Sequence, residues 1–307
     1  MINFVIRRIG IAIPTLLILI AISFFLMHAA PGGPFNSERG VPPEVLANLN
    51  AKYGLDQPLI VQLWNYIWDI ITKFDFGPSM VFKTRTVNDI IAQGFPVTFT
   101  YGTWSFVVAV VVGVSLGVAA AVNHNSWLDY IAVGISIGAQ VLPNFVLAPI
   151  LVLIFTLGLH WLPGGGWNGG HWPYPVMPII ALSTSFMASI ARITRSSMLE
   201  VLHSNFIRTA RAKGLPKNTV IWKHAFKPSL LPVISYLAPA FVGMITGSVV
   251  VDVYFSTGGM GQLFVASATS RDYSTMMGIT ILYGVLTIVF NMLADILYAW
   301  IDPKIRL

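Results

Sequence analysis

The chain has 307 residues, of which 55% are hydrophobic and only 10% are Asp, Glu, Lys or Arg, and its formal net charge is +6. Soluble domains carry roughly 25% charged residues. The composition therefore excludes a protein whose surface faces mainly water, and it indicates an integral membrane protein. The sequence contains no cysteine, which excludes disulfides, iron–sulfur clusters and thiolate nucleophiles. The six histidines show no HxxH or HExxH spacing, so no metal site is predicted.

The first apolar run extends from Ile9 to Ala30 and follows Arg7 and Arg8. It is long enough to cross a hydrocarbon core of roughly 30 Å. It also exceeds the apolar core of a signal peptide, which is roughly 7–15 residues long. Because basic residues next to a span favour the cytoplasmic side, we expect an uncleaved first span with a cytoplasmic N-terminus.

Residues 31–95 differ from the rest of the chain because they contain charges of both signs and several prolines. Between Pro58 and Thr72, apolar residues recur at helical spacing, which predicts an amphipathic helix on the membrane or on the protein body. Trp64 and Trp68 in this helix are typical of the membrane interface. We interpret residues 1–95 as the first span followed by an outer, periplasmic loop.

Residues 96–307 are predicted to form a five-helix core with one basic cytoplasmic loop at residues 192–228. The apolar segments lie near 97–122, 131–157, 174–191, 229–251 and 276–298. The fold class is therefore all-α integral membrane, with six transmembrane helices. In this topology two-thirds of the 18 Lys and Arg residues fall on the side of the termini. The positive-inside rule then predicts that both termini are cytoplasmic.

Two glycine patterns resemble phosphate-binding motifs. Gly164, Gly166 and Gly169 fit G-x-G-x-x-G, but they lie in a turn between two spans, whereas a dinucleotide site needs a strand before the motif and a helix after it. Residues 77–84 fit a Walker A frame, except that Phe82 occupies the position of the second glycine. Neither context suits phosphate binding, so we expect no nucleotide site in this chain.

The basic loop contains the sequence SNFIRTARAKGLP, which begins at Ser204. Ser204 or Asn205 can cap the start of a helix. Gly214 can end it in the left-handed conformation, and Pro216 prevents its continuation. The pattern predicts a helix of about nine residues, or roughly 13 Å. Two interpretations fit this helix: a positive loop resting on lipid headgroups, or a docking helix for a cytoplasmic partner.

The stretch RTARAKGLP, followed by KHAFKPSLLPVIS, resembles the EAA-type loop of binding-protein-dependent ABC importer permeases. By spacing, Arg208, Thr209 and Ala210 occupy the Glu-Ala-Ala positions, and Gly214 occupies that of the glycine. Arg208 and Lys227 depart from the family pattern, which has Glu and Pro at these places, so this chain has no acidic group at position 208. The opening FVIRRIGIAIP, the turn HWLPGGGWNGG and the ending DPKIR are similar to the peptide branch of the family.

This resemblance implies the transmembrane domain of a type I ABC importer that moves oligopeptides by alternating access. The chain itself would be non-catalytic and bind no cofactor. ATP and Mg²⁺ would be bound by two partner ATP-binding subunits. The other implied partners are a homologous second permease subunit, an extracytoplasmic peptide-binding protein, the peptide and membrane lipid, with no nucleic acid. The location would be the bacterial inner membrane. Alternatives are a dipeptide or nickel permease of the same family, or a secondary transporter.

The resemblance also implies which residues contact the ATPase subunit. They are eleven consecutive residues: Asn205, Phe206, Ile207, Arg208, Thr209, Ala210, Arg211, Ala212, Lys213, Gly214 and Leu215. In that family the loop helix fits a cleft on the ATPase and moves with it.

Few polar residues lie inside the predicted spans. Gln140, Asn144 and Asn291 are candidates for lining the substrate path, and interhelical hydrogen bonds are the alternative role. Pro143 is expected to kink the third span. A carboxylate within a span costs roughly 2.5–3.5 kcal/mol on insertion scales, so Asp295 needs a partner. The expected partners are Arg192, Arg195 and Lys304.

Overall fold

The computed structural model describes residues 2–29, 43–82, 84–247 and 249–301, which are nearly all helical. The α-helices are α1 (Ile2–Ala29), α2 (Pro43–Lys52), α3 (Leu59–Lys73), α4 (Val87–Val122), α5 (Trp127–Val141), α6 (Asn144–Leu151), α7 (Val176–Leu202), α8 (Asn205–Ala212), α9 (Lys217–Thr219), α10 (Phe226–Ile245), α11 (Val249–Phe255), α12 (Met260–Ser270) and α13 (Tyr273–Ile301). Two π-helical segments, Val152–Gly158 and Val220–Ala225, continue α6 and lead into α10, and a 3₁₀ turn covers Asn168–Gly170.

Five helices in the described part of the chain are long and apolar enough to cross a membrane. They are Ile6–Ala29, Val87–Val122, Val176–Leu202, Lys217–Ile245 and Tyr273–Ile296. Two pairs of apolar helices, each sharply bent at a short break, raise the number of candidate spans to as many as seven if each pair is counted as one span. The first is α5 with α6 and its π-helical continuation, and the second is α11 with α12. The predicted class, an all-α integral membrane protein, is confirmed.

The third predicted span, 131–157, is broken where we expected only a kink. Helix α5 ends at Val141, Leu142 and Pro143 are extended, and α6 starts at Asn144 in a direction that differs by 107°. Pro143 has no N–H to continue the helix, and it pushes the preceding residue out of the helical region. Pro149, by contrast, lies inside α6 without ending it.

Helix α4 begins ten residues before the expected start at 97. Thr86 and Asp89 cap its first turn reciprocally: Thr86 N donates to Asp89 Oδ2 at 3.0 Å, and Asp89 N donates to Thr86 Oγ1 at 3.2 Å. This capping box satisfies N–H groups that a helix start leaves open. Helix α7 also exceeds its predicted range and ends at Leu202, so Arg192 and Arg195 belong to a long apolar helix.

The chain divides into two compact units, one of residues 98–257 and one drawn from residues 1–97 and 258–307. Helix α7 forms the centre of the 98–257 unit, where α5 and α10 pack on it. Helix α4 approaches α7 very closely, since a Cβ on Gly117 would lie 2.5 Å from both the Ala191 carbonyl oxygen and Thr194 Cβ. Small residues of this kind allow two membrane helices to bring their backbones together.

In the other unit, α1 packs along α13, and Ile20, Phe24, Met277 and Ile281 are buried between them. The start of α13 is fixed by Asp272, which is 1% exposed. Its carboxylate accepts hydrogen bonds from Thr275 Oγ1 at 2.8 Å, from Met80 N at 3.1 Å and from Ser79 Oγ. The segment before α4 is thereby attached to the first turn of α13.

Candidate functional site

Helix α8 is the short helix expected in the basic loop, with eight residues where about nine were expected. Ser204 occupies the N-cap position, but its hydroxyl donates to Val201 O at 2.6 Å and does not accept from the helix. At the other end Gly214 has φ +76°. Gly214 N donates to Arg211 O at 2.9 Å and Leu215 N donates to Ala210 O at 3.3 Å. This is the Schellman arrangement, which needs a residue that tolerates positive φ at the position of Gly214.

One face of α8 is attached to the body of its unit. Ile207 is fully buried and Ala210 is 8% exposed. They join a cluster with residues from the ends of α4 and α7 and from the segment that leads into α10. The other buried members are Val118, Ala121, Met198, Val220, Ile221 and Ala225. Through these two residues α8 shares one hydrophobic cluster with the ends of α4 and α7 and with the segment that leads into α10.

The other face of α8 is exposed. The residues on it and at its C-terminal end are Asn205, Phe206, Arg208, Thr209, Arg211, Ala212, Lys213, Gly214 and Leu215. Phe206 is 50% exposed although it is a large apolar residue. Among the described residues, Arg208, Arg211 and Lys213 form no ion pair. This surface combines an apolar side chain with unneutralised positive charge, a composition that suits contact with another protein.

A buried ion pair connects α5 to α7 beside the α4–α5 turn. Arg195 donates from Nε to Asp129 Oδ1 at 2.6 Å and from Nη2 to Asp129 Oδ2 at 2.8 Å. The Asn125 N–H also donates to Oδ2, and His124 Nδ1 lies 3.1 Å from the same oxygen. The carboxylate is therefore satisfied by a bidentate guanidinium and a backbone donor, the geometry that gives such pairs their specificity.

Sequence reasoning missed Asp129. A signal was present, because Asp129 is the only Asp, Glu, Lys or Arg between Ile90 and Ala191. An isolated carboxylate in such an apolar stretch needs a partner. Arg195 was one of the partners predicted for Asp295. This prediction was wrong, because Arg195 binds Asp129. Asp295 instead lies 2.9 Å from Arg8 Nη2, and Lys304 lies outside the described residues.

The candidate path residues occupy two places. Gln140 and Asn144 flank the break between α5 and α6, where Gln140 is exposed and Asn144 is half-buried. Asn291 is exposed on α13 in the other unit. The three side chains are not seen to hydrogen-bond with any residue in the described ranges. Their role in a path stays a prediction.

Comparison with known proteins gives the family. Residues 113–307 match the family described as the binding-protein-dependent transport system inner membrane component, and residues 1–102 match its N-terminal membrane component. The chain belongs to this family. Its members are membrane components of transport systems, so the chain is a multi-pass membrane protein and a permease subunit.

Several relatives in the family match over their full length. The chain is 55% identical over 306 residues to the oligopeptide transport system permease protein OppB of Salmonella typhimurium, covering 100% of both chains, and equally so to OppB of Escherichia coli K12. It is 43% identical to the dipeptide transport system permease protein DppB of Bacillus subtilis, covering 100% of this chain and 99% of that protein.

Solved structures support the fold. The MetNI methionine ABC transporter in an inward-facing conformation matches with a TM-score of 0.58 and 16% identity, covering 70% of this chain and 97% of the other. An amino acid ABC transporter matches with a TM-score of 0.55 and 16% identity, covering 69% and 94%. The chain therefore has the fold of type I ABC importer permeases, as its sequence predicted.

Proposed function

We propose that this permease subunit imports oligopeptides across the bacterial inner membrane in an ATP-driven complex. The supporting observation is the 55% identity to oligopeptide permeases over the whole chain, compared with 43% to a dipeptide permease. In this proposal the chain pairs with a homologous second permease subunit. Two ATP-binding subunits hold ATP and Mg²⁺ on the cytoplasmic side, where both termini lie, and a peptide-binding protein delivers the substrate on the outer side.

Helix α8 is the coupling element in this proposal. Its exposed residues, which include Phe206, enter a cleft on an ATP-binding subunit. Its buried residues Ile207 and Ala210 transfer the movement of that subunit to the ends of α4 and α7, because they share a hydrophobic cluster with residues from both. Close-packed side chains transmit displacement because interiors are dense and hardly compressible. ATP binding closes the two ATP-binding subunits, α8 moves with them, and the spans tilt to open the cavity outward.

The pair of Asp129 and Arg195 makes α5 and α7 move together at their ends near α8. A bidentate pair fixes orientation as well as distance. The break at Leu142 and Pro143 then acts at the far end of α5, so that the pair and the break delimit a segment that can move as a unit. Gln140 at this break is one of the candidate path residues.

Gln140, Asn144 and Asn291 line the path in this proposal. Amide side chains in an apolar helix are costly toward lipid, because lipid offers no hydrogen-bond partner. A water-filled cavity between two permease subunits provides such partners. Amides can bind the peptide backbone, which is common to all peptides, so this lining suits a transporter that discriminates little between side chains.

Uptake measurements test the substrate class. The gene is deleted in a host strain that lacks its other peptide importers, and uptake of a labelled tetrapeptide, a labelled dipeptide and Ni²⁺ is compared with and without the restored chain. We expect restoration of tetrapeptide uptake, competition by unlabelled tetrapeptides of unrelated sequence, and loss of uptake when ATP is depleted. Restoration of only dipeptide or Ni²⁺ uptake would assign the chain to another branch, and tetrapeptide uptake that persists without ATP would indicate a secondary transporter.

A further inference from the structure

Helix α3 presents three different faces. Its inner face, formed by Leu63, Tyr66, Ile67 and Ile70, packs on α1 and α13 around Phe24 and Met277. Burial raises the pKa of the Tyr66 hydroxyl on this face. The ends of two membrane spans thus fix the position of α3, so its depth relative to the bilayer is set by the fold.

A second face is polar. Asp69 and Lys73, one helical turn apart, form an ion pair at 2.7 Å, and this contact raises the pKa of Lys73. Gln62 Nε2 donates to Gln57 O at 2.7 Å, and Asn65 Nδ2 donates to Gln57 Oε1 at 3.3 Å. These side chains lie along one side of α3 and have their polar partners there.

The third face is apolar and exposed. Ile60, Trp64, Trp68 and Ile71 are 75%, 64%, 54% and 63% exposed, and the spacing of four, four and three residues places them in one stripe. The two indole rings are stacked, with centroids 6.2 Å apart and planes inclined by 19°. By helical periodicity the inner face lies between this stripe and the polar face, so the stripe and the polar face are on nearly opposite sides of α3. It contains no charged residue.

We propose that this stripe of α3 binds the bilayer interface, in the leaflet at the C-terminal end of α1. Near this C-terminal end, α1 also exposes apolar side chains, namely Ile22, Phe25 and Leu26. The stripe is therefore exposed at the same end of α1 as apolar residues that face the membrane. With the inner face on α1 and α13 and the stripe in lipid, the polar face points to water.

The residue types of the stripe agree with this placement. Tryptophan rings prefer the headgroup level, where the indole is partly in apolar and partly in polar surroundings. A helix with one apolar and one charged face lies in the plane of the interface, with the apolar side buried roughly 5–10 Å. Lipid contact at this stripe depends on the membrane spans of the chain and not on what the chain transports.

Spin labelling tests the placement, and the absence of native cysteine from this chain makes the labels specific. Ile60→Cys, Trp64→Cys and Ile71→Cys are each labelled with a nitroxide in the assembled complex in lipid nanodiscs, with any cysteines of the partner subunits replaced by serine. Collision with oxygen, which partitions into lipid, is compared with collision with a water-soluble nickel chelate. Asn65→Cys on the polar face is the matched control.

We expect the ratio of oxygen to nickel collisions to be several-fold higher at the three stripe positions than at position 65. Low collision with both reagents at the stripe would mean that another protein covers it, and high nickel collision there would mean that it faces water. Either of these outcomes overturns the proposal.

Discussion

Arg195 on α7 holds both carboxylate oxygens of Asp129 on α5, at 2.6 and 2.8 Å. The two residues are 66 positions apart in the sequence, and the Asp129 side chain is only 3% exposed. A buried pair of this kind need not add net stability, but removal of one partner leaves the other charge uncompensated. The pair is therefore a specific determinant of how α5 is attached to α7.

Replacement of Asp129 by Asn should destabilise the subunit. Loss of one partner of a buried pair costs about 3–5 kcal/mol, and the lower end applies because the Arg195 side chain is 26% exposed. The temperature at which half of the solubilised subunit aggregates should fall clearly. Asp69→Asn is the matched control, because its pair with Lys73 is exposed, and it should leave this temperature unchanged. Equal effects of the two variants would contradict the assigned role.

Replacement of Gly117 by Ala should force α4 and α7 apart. The new Cβ would lie 2.5 Å from the Ala191 carbonyl oxygen, a backbone atom that cannot move alone. Overpacking of this kind costs about 1–3 kcal/mol. Gly134→Ala on α5 is the control, because a Cβ added at Gly134 meets no atom within 4 Å. Thermal stability should drop only for Gly117→Ala, and an unchanged value for both would show that the helices separate freely.

Replacement of Gly214 by Ala should weaken the end of α8 through the backbone alone. A Cβ at this position meets no atom within 4 Å, but φ is +76°. A residue with a Cβ in the left-handed region loses roughly 1–2 kcal/mol of conformational free energy, and Asn tolerates this region better than Ala does. Peptide uptake should therefore decrease in the order Gly, Asn, Ala at equal amounts of membrane-inserted subunit. The reverse order of Asn and Ala would point to a contact of the side chain instead.

Neighbouring residues of α8 should behave differently. Ile207→Ala removes a fully buried side chain, for which a cost of about 2–5 kcal/mol is expected. Phe206→Ala removes a side chain that is 50% exposed, so it should leave the stability of the subunit nearly unchanged while weakening retention of the ATP-binding subunits during purification. If Phe206→Ala destabilises the isolated subunit as much as Ile207→Ala, Phe206 belongs to the core.

Much of the fold could be predicted because it depends on local rules. The membrane class, most of the apolar spans and the end of α8 at Gly214 follow from hydropathy and from helix-terminating residues, whereas the bent pair of α11 and α12 was not predicted. The start of α4 was missed. The helix begins at Val87 because Thr86 and Asp89 cap its first turn reciprocally. The break before Asn144 was underestimated, since a proline in a span is compatible with either a kink or a break.

The partners of charged residues could not be predicted, because they depend on packing between distant segments. Asp295 had several basic candidates near the same membrane face, and only the packing of α1 on α13 selects Arg8. The burial of Ile207 and the exposure of Phe206 likewise follow from how α8 lies on α4 and α7. Adjacent apolar residues in a short helix do not reveal which of them faces the protein.

In the proposed function, the exposed face of α8 couples this subunit to ATP hydrolysis. The most direct measurement is peptide-stimulated ATP hydrolysis by the assembled complex in nanodiscs with Arg211→Glu or Gly214→Pro. Lys223→Glu is the matched control, because it is an exposed charge reversal in the same loop outside α8. We predict that both α8 variants remain in the membrane but lose about tenfold or more of the stimulation, as expected when an interface contact worth about 2 kcal/mol is removed, while the control retains it. Stimulation at the wild-type level in both α8 variants would contradict the claim.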